Sequence, residues 1–192
     1  TNTATVDSST ADTARRNNVG IANATIVPGE PVTITLNASP NSIYVGGDTA
    51  GLYATLRDVY GNPAPNGTMV TFYTTLGGFP GSSTITLPTV DGTAVATLTS
   101  GASAGIADIT ATAGALEATT SVLFRPLGAF TMTLTANPVS IPVGGSTSVI
   151  QATVVDMYGN WVEDGTAVSF GTSAGFIDPA MAYTVNGGVT AI

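Results

Sequence analysis

Apolar and polar residues alternate along this chain in short runs, and Gly, Pro, Asn and Asp cut the runs at regular intervals. That rhythm, rich in β-branched residues and without a 3.6-residue period, predicts an all-β chain of short strands joined by turns, in the manner of a β-sandwich. Val32-Thr33-Ile34-Thr35-Leu36 alternates without a break. In the next run Leu52, Ala54 and Leu56 fall on one face, with Tyr53, Thr55 and Arg57 on the other. The turn Tyr60-Gly61-Asn62-Pro63 ends it, because Gly and Asn tolerate positive φ and Pro fixes the exit. Val70 and Phe72 then share a face, opposite Met69, Thr71 and Tyr73. Further strands are expected at residues 83–87, 93–99, 106–113 and 119–124, set apart by Asp91-Gly92, residues 101–105 and Gly114. Seven strands suffice for one complete two-sheet sandwich.

The pattern repeats. Residues 56–72 recur as residues 154–170, and Pro40/Pro138, Val45/Val143, Gly61/Gly159 and Phe72/Phe170 are each 98 positions apart. Leu52/Ile150, Ala54/Ala152, Leu56/Val154 and Val70/Val168 stay apolar while their outward neighbours drift, as a shared core would impose. The second copy stops early. Val185-Asn186-Gly187 stands opposite Val90-Asp91-Gly92 and, with one residue deleted, Ile192 falls opposite Leu98, leaving the copy two strands short. Ahead of the first copy, Asn23 to Ile26 fall opposite Ser121 to Phe124, and Pro28 opposite Pro126. The same offset puts Thr1 opposite Thr99. Three parts are therefore expected: a strand pair in residues 1–29 matching the last two strands of a repeat, a complete sandwich in 30–127, and an incomplete one in 128–192.

These residues carry a family resemblance. Ala-Ser-Pro-x-Ser-Ile-x-Val-Gly-Gly (38–47), Ala-Thr-Leu-x-Asp-x-Tyr-Gly-Asn-Pro (54–63), Gly-Thr-x-Val-Thr-Phe (67–72) and the run from Asp91 to Ser100 resemble the bacterial Ig-like repeats of the invasin/intimin type. The resemblance covers residues 30–127 well and 128–192 in part. It implies Ig-like β-sandwiches in an extracellular, usually tandem, setting, where such repeats mostly act as rigid spacers and adhesive modules; combined with the repeat offset, the expected fold is all-β, with one complete Ig-like sandwich and one split between the N- and C-terminal segments. It implies no catalytic residues. The chain departs from the family in having no lysine, where such repeats usually have several.

Composition narrows the function. The 192 residues are 43% hydrophobic and 8% charged, with a net charge of -8 and four arginines as the only cations. Nucleic acid and anionic membranes both need a basic footprint, so neither is an expected partner. With no cysteine and no histidine, the chain has no disulfide, no thiolate or imidazole metal site and no Ser-His-Asp or Cys-His machinery. Carboxylate-only chemistry, as in glycosidases, would rest on Glu163 and Asp164, adjacent in a loop. The expectation is no enzyme, no cofactor and no catalytic or metal residue. No run approaches the ~20 apolar residues that span a bilayer. The chain opens at Thr1 without a charged-then-apolar leader, so a secretion signal is expected to have been removed or to lie outside this segment.

Several residues carry two readings. Asp58 and Asp156, with Asn62, Asn160, Glu163 and Asp164 nearby, could supply oxygen ligands to calcium, or the aspartates could cap their turns. Trp161, the single tryptophan, could be an adhesive contact or pack on its own turn. Arg15-Arg16 could meet an acidic partner or sit at a solvated hairpin tip. Asn23, Asn37 and Asn66 begin N-glycosylation acceptor tripeptides, and surface glycans are a further expected partner.

A sandwich short of two strands leaves strand edges and apolar faces open. One expectation is a secreted, cell-surface or extracellular subunit whose residues 1–29 complete the second domain of another copy, with Val19, Ile21, Ala24 and Ile26 at the contact. This is donor-strand complementation, a heterologous contact that builds filaments. The other is a stalk segment of a long adhesin, cut from a tandem array in which neighbouring repeats supply the missing strands.

Overall fold

A computed structural model of the chain describes residues 2–5, 19–22 and 27–192, with side chains from residue 27 onward. The described residues form fifteen strands and no helix. The first two, β1 (Asn2–Thr5) and β2 (Val19–Ala22), pair antiparallel. The first domain follows with β3 (Thr33–Ser39), β4 (Ser42–Tyr44), β5 (Thr49–Arg57), β6 (Met69–Thr74), β7 (Thr84–Pro88), β8 (Thr93–Thr99), β9 (Gly105–Ala113) and β10 (Leu116–Arg125). Strands β3-β5-β8 form one sheet and β4-β10-β9-β6-β7 the other. The period-2 pattern decides what lies between them: Leu52, Ala54 and Leu56 from the first sheet and Val70, Phe72, Ile109, Val122 and Phe124 from the second are all fully or almost fully buried. The described residues are all β, and the first domain has the two-sheet architecture of an Ig-like sandwich.

Eight strands stand where seven were expected, and the addition is β4. Its three residues lie just past Pro40 and pair parallel with β10, Ile43 opposite Phe124. So short a strand carries almost no alternation of its own, although Ile43 and Val45 are both buried.

The second domain comprises β11 (Thr131–Asn137), β12 (Val149–Val155), β13 (Ala167–Ser169), β14 (Met181–Tyr183) and β15 (Gly188–Ala191). It keeps a whole three-stranded sheet, β11-β12-β15, but only a β13-β14 pair opposite. The register corrects the expected alignment. Ala152 pairs with Val189 and Ile150 with Ala191, as Ala54 pairs with Ala94 and Leu52 with Ala96. No residue is deleted within β15, so Ile192 stands opposite Thr97 rather than Leu98. A one-residue slip would turn Val189 and Ala191 outward, and both are buried.

The amino-terminal pair corrects a second alignment. Val19 pairs with Thr5 and Ile21 with Thr3, whereas the residues matching Val19 and Ile21 at the offset of 98, Glu117 and Thr119, pair with Thr112 and Thr110. Thr3-Ala4-Thr5 therefore matches Thr110-Ala111-Thr112, an identity that the offset of 98 hides. Residues 6–18 join the two strands where residues 113–116 suffice in the first domain. A longer connection moves the first strand without disturbing the second.

Candidate functional site

Two features stand out, an open groove in the second domain and the junction between the domains. In the first domain β9 bonds to β6, and β10 beside it packs against β3. Among the described residues nothing occupies the corresponding place beside β13. A groove of about 280 Å³ opens there between Phe130, Thr131 and Met132 at β11 and Thr166 to Ser169 at β13, with Val154 on its floor. Residues that match core positions are uncovered as a result. Leu36 is 7% exposed and Leu134 59%; Ile43 is 5% exposed and Ile141 43%. Residues 140–142, the counterpart of β4, form no strand.

The junction is built on a turn that occurs twice. Asp58 Oδ1 accepts the N–H groups of Tyr60 (2.9 Å) and Asn62 (2.8 Å), and Oδ2 those of the Asn62 amide (3.0 Å) and Gly29 (3.1 Å). Asp156 repeats the set with Tyr158, Asn160, the Asn160 amide and Leu127. Each aspartate therefore caps its own turn and ties down the backbone leading into its domain. Both carboxyls are held below the ordinary value. The Asn62 amide leads in lowering Asp58 to about 2 against its burial, helped by the backbone donors. At Asp156 burial pushes upward and the hydrogen bonds, led by the Asn160 amide, prevail.

Asn160 also reaches across the junction. Its Nδ2 donates to Ala102 O (2.8 Å) and its Oδ1 accepts from Ala104 N (2.9 Å). The Tyr158 ring lies against Gly46, so closely that a Cβ there would come 2.8 Å from the hydroxyl oxygen. Only glycine serves at that position, which also has φ +97°. Arg125 chelates Glu163 with its Nε and Nη2 and sits 5.2 Å from the centroid of the Tyr44 ring. The ion pair holds the Glu163 carboxyl below its usual value.

The expected candidates resolve as follows. Each Asp58-type carboxylate accepts four N–H donors, about its full acceptor capacity, so the turn-capping reading accounts for its position better than calcium does. Glu163 is engaged by Arg125, and Asp164 Oδ1 accepts from Asn186 N at 2.7 Å. Trp161 packs on Gly187 of its own domain, where a Cβ would meet it at 2.6 Å, although it remains 58% exposed. Asn37 and Asn66 are exposed, and Asn66 Oδ1 also accepts from Asp91 N at 2.7 Å, the role Asp164 fills in the second domain. Arg15, Arg16, Asn23, Ala24 and Ile26 lie outside the described residues, as do the side chains of Val19 and Ile21. Sequence reasoning missed the first domain's half of the junction, Tyr44, Gly46, Ala102, Ala104 and Leu127. The recurrence of Gly46-Gly47 as Gly144-Gly145 was the available signal.

A family model described as "Invasin, domain 3" matches residues 30–126. Among solved structures, Yersinia pseudotuberculosis InvD is 26% identical, with a TM-score of 0.63 over 82% of this chain and 48% of that one. Invasin, a bacterial integrin-binding protein, is 23% identical, with a TM-score of 0.47 over 83% of this chain and 33% of that one. The Yersinia pseudotuberculosis adhesin InvE is 22% identical, with a TM-score of 0.41 over 83% and 49%. The chain thus spans a third to a half of the length of these structures. No curated protein matches it in sequence.

Proposed function

The chain belongs to the invasin domain 3 family, and from that premise we propose that it is a non-enzymatic, extracellular structural unit of a cell surface, joined head to tail to further copies of itself. The joint forms when residues 1–29 of one copy complete the second domain of another. The observation that carries this reading is the uncovered inner face of the second domain, where Leu134 and Ile141 are exposed although their counterparts Leu36 and Ile43 are core in the first domain, beside the groove along β13.

The first domain supplies the docking register. Thr71 pairs with Thr112 and Phe72 with Ala111, so Ser169 would pair with Thr5 and Phe170 with Ala4 of the incoming copy. Ala24 and Ile26 match the buried Val122 and Phe124, and Ile26 would lie beside Ile141 as Phe124 lies beside Ile43. Val19 and Ile21 match the exposed Glu117 and Thr119, so the apolar contact of the proposed joint would fall to Ala24 and Ile26. Each large apolar side chain withdrawn from water contributes about 1.5–3 kcal/mol. Ordering the donor backbone costs about 1–2 kcal/mol per residue, so the ladder bonds along β13 are needed as well. The exposed Asn37 and Asn66 would remain accessible to glycans outside the joint.

The test is removal of residues 1–29 from the full chain. The truncated protein should stay soluble and fold its first domain, and electron microscopy should show no polymers; polymers that persist would overturn the proposal. A second reading, a stalk segment of a longer adhesin, is favoured by the tied junction and by the partial coverage of longer structures. Purified native protein distinguishes the two, since a stalk segment appears as short rods and a polymerising subunit as long filaments.

A further inference from the structure

The internal junction has a duplicate set of parts, and that second set is unused. Tyr158 lies on Gly46 inside the chain and is 43% exposed, whereas its counterpart Tyr60 is 86% exposed. Gly144, the counterpart of Gly46, has φ +105° and nothing within 4 Å of an added Cβ. Both halves of the contact are thus present and unpaired, Tyr60 at the end of the first domain that receives the chain through Gly29, Gly144 at the end of the second domain away from the junction. Gly29 approaches Asp58 as Leu127 approaches Asp156, so the backbone enters both ends alike.

The surroundings change in concert. Where the internal junction has Tyr44, Arg125 and Glu163, the unused set has Pro142, Val27 and Pro65. An aromatic ring, a cation and an anion give way together to three apolar side chains, all exposed. Isolated drift would have left an unmatched charge on one side.

We infer that the joint between successive copies reproduces the internal junction, with Tyr60 of one copy seated on the Gly144-Gly145 turn of the neighbouring copy. Val27 and Pro65 then close against Pro142 of that neighbour, an apolar contact in place of the ion pair. This inference rests on the assembly reading above, and it adds that the filament is tied at every joint as it is within each subunit. The joint between copies is insensitive to salt, whereas the internal one carries a screenable charge pair.

The absence of native cysteine makes cross-linking a clean test. Full-length chains carrying Val59→Cys with Ser146→Cys, called the Tyr60 pair because it flanks Tyr60 and keeps its ring, are treated with a flexible bis-maleimide. A second variant, Ile26→Cys with Ile141→Cys, reports strand donation directly, and circular dichroism checks that both variants keep the β signature. Ladders of covalent multimers from both variants are expected. A ladder from the strand pair and a single band from the Tyr60 pair would overturn the seating while leaving strand donation in place. A ladder from the Tyr60 pair alone would support the seating and overturn strand donation. Single bands from both would overturn the two together.

Discussion

Leu36 and Leu134 hold the same position in the same strand of two copies of one fold, yet one is buried and the other is mostly in water. Both strands alternate, and both present their leucine to the side where the opposite sheet belongs. The difference lies in that opposite sheet: five strands cover the first domain's inner face, and two flank the second's. An amphipathic pattern thus specifies which face of a strand seeks cover, whereas the cover itself depends on strands far along the chain or on another chain.

The largest expected contrast comes from paired core truncations in the protein lacking residues 1–29. Phe72→Ala, in a fully buried position, should cost about 3–5 kcal/mol by urea unfolding. Phe170→Ala in the open domain should cost about 1 kcal/mol. Equal losses would mean that the second domain has a closed core after all. The contrast sharpens at Leu134→Asp, which should change the stability of that truncated protein by no more than about 0.5 kcal/mol, as at a surface site. In the full chain the same substitution should reduce polymer in sedimentation by roughly tenfold or more, because the completed second domain would have to bury a carboxylate. Unchanged polymer would place Leu134 outside the joint.

Smaller effects belong to the junction. Asn160→Ala removes two bonds to the first domain, worth about 0.5–1.5 kcal/mol each, and should widen the interdomain distance distribution measured with spin labels. Asn62→Ala, which touches only its own turn, should not. Acid should act on the same ties. Asp156 and Glu163 titrate below their ordinary values of 3.8 and 4.5 when folded, so their stabilisation is complete above pH 4.5 and is lost as pH falls through the folded values. Asp58 holds its turn down to about pH 2. The spin-label distribution should therefore broaden as the pH falls below 4.5. Arg125→Met should have the smallest effect, seen mainly as a loss of salt dependence, because the pair is two-fifths exposed.

Much of this architecture was legible in the sequence. The strands with strong alternation, such as residues 52–57 and 69–73, were placed on the correct faces because every second residue had to be apolar. β4 was not legible, since three residues held by a parallel partner leave no period to detect. The placement of residues 2–5 also failed, because alignment at one offset assumes connections of constant length, and thirteen residues separate Thr5 from Val19 where four separate Thr112 from Glu117. The groove could be anticipated by counting strands. The junction was legible only through its recurring Gly-Gly turn, because Asn160 bonds to the backbone of Ala102 and Ala104, which leaves no mark in a sequence, and Arg125 and Glu163 belong to different repeats that no pattern within one repeat links.

The linker between the domains has a mechanical consequence. Five residues, 126–130, separate β10 from β11, and two of them are tied to the second domain, Leu127 through Asp156 and Phe130 through Val155. Fully extended, five residues reach only about 17 Å. A string of such units pulled from its ends has little linker to straighten, so it would behave as a stiff rod until a junction parted or a domain unfolded.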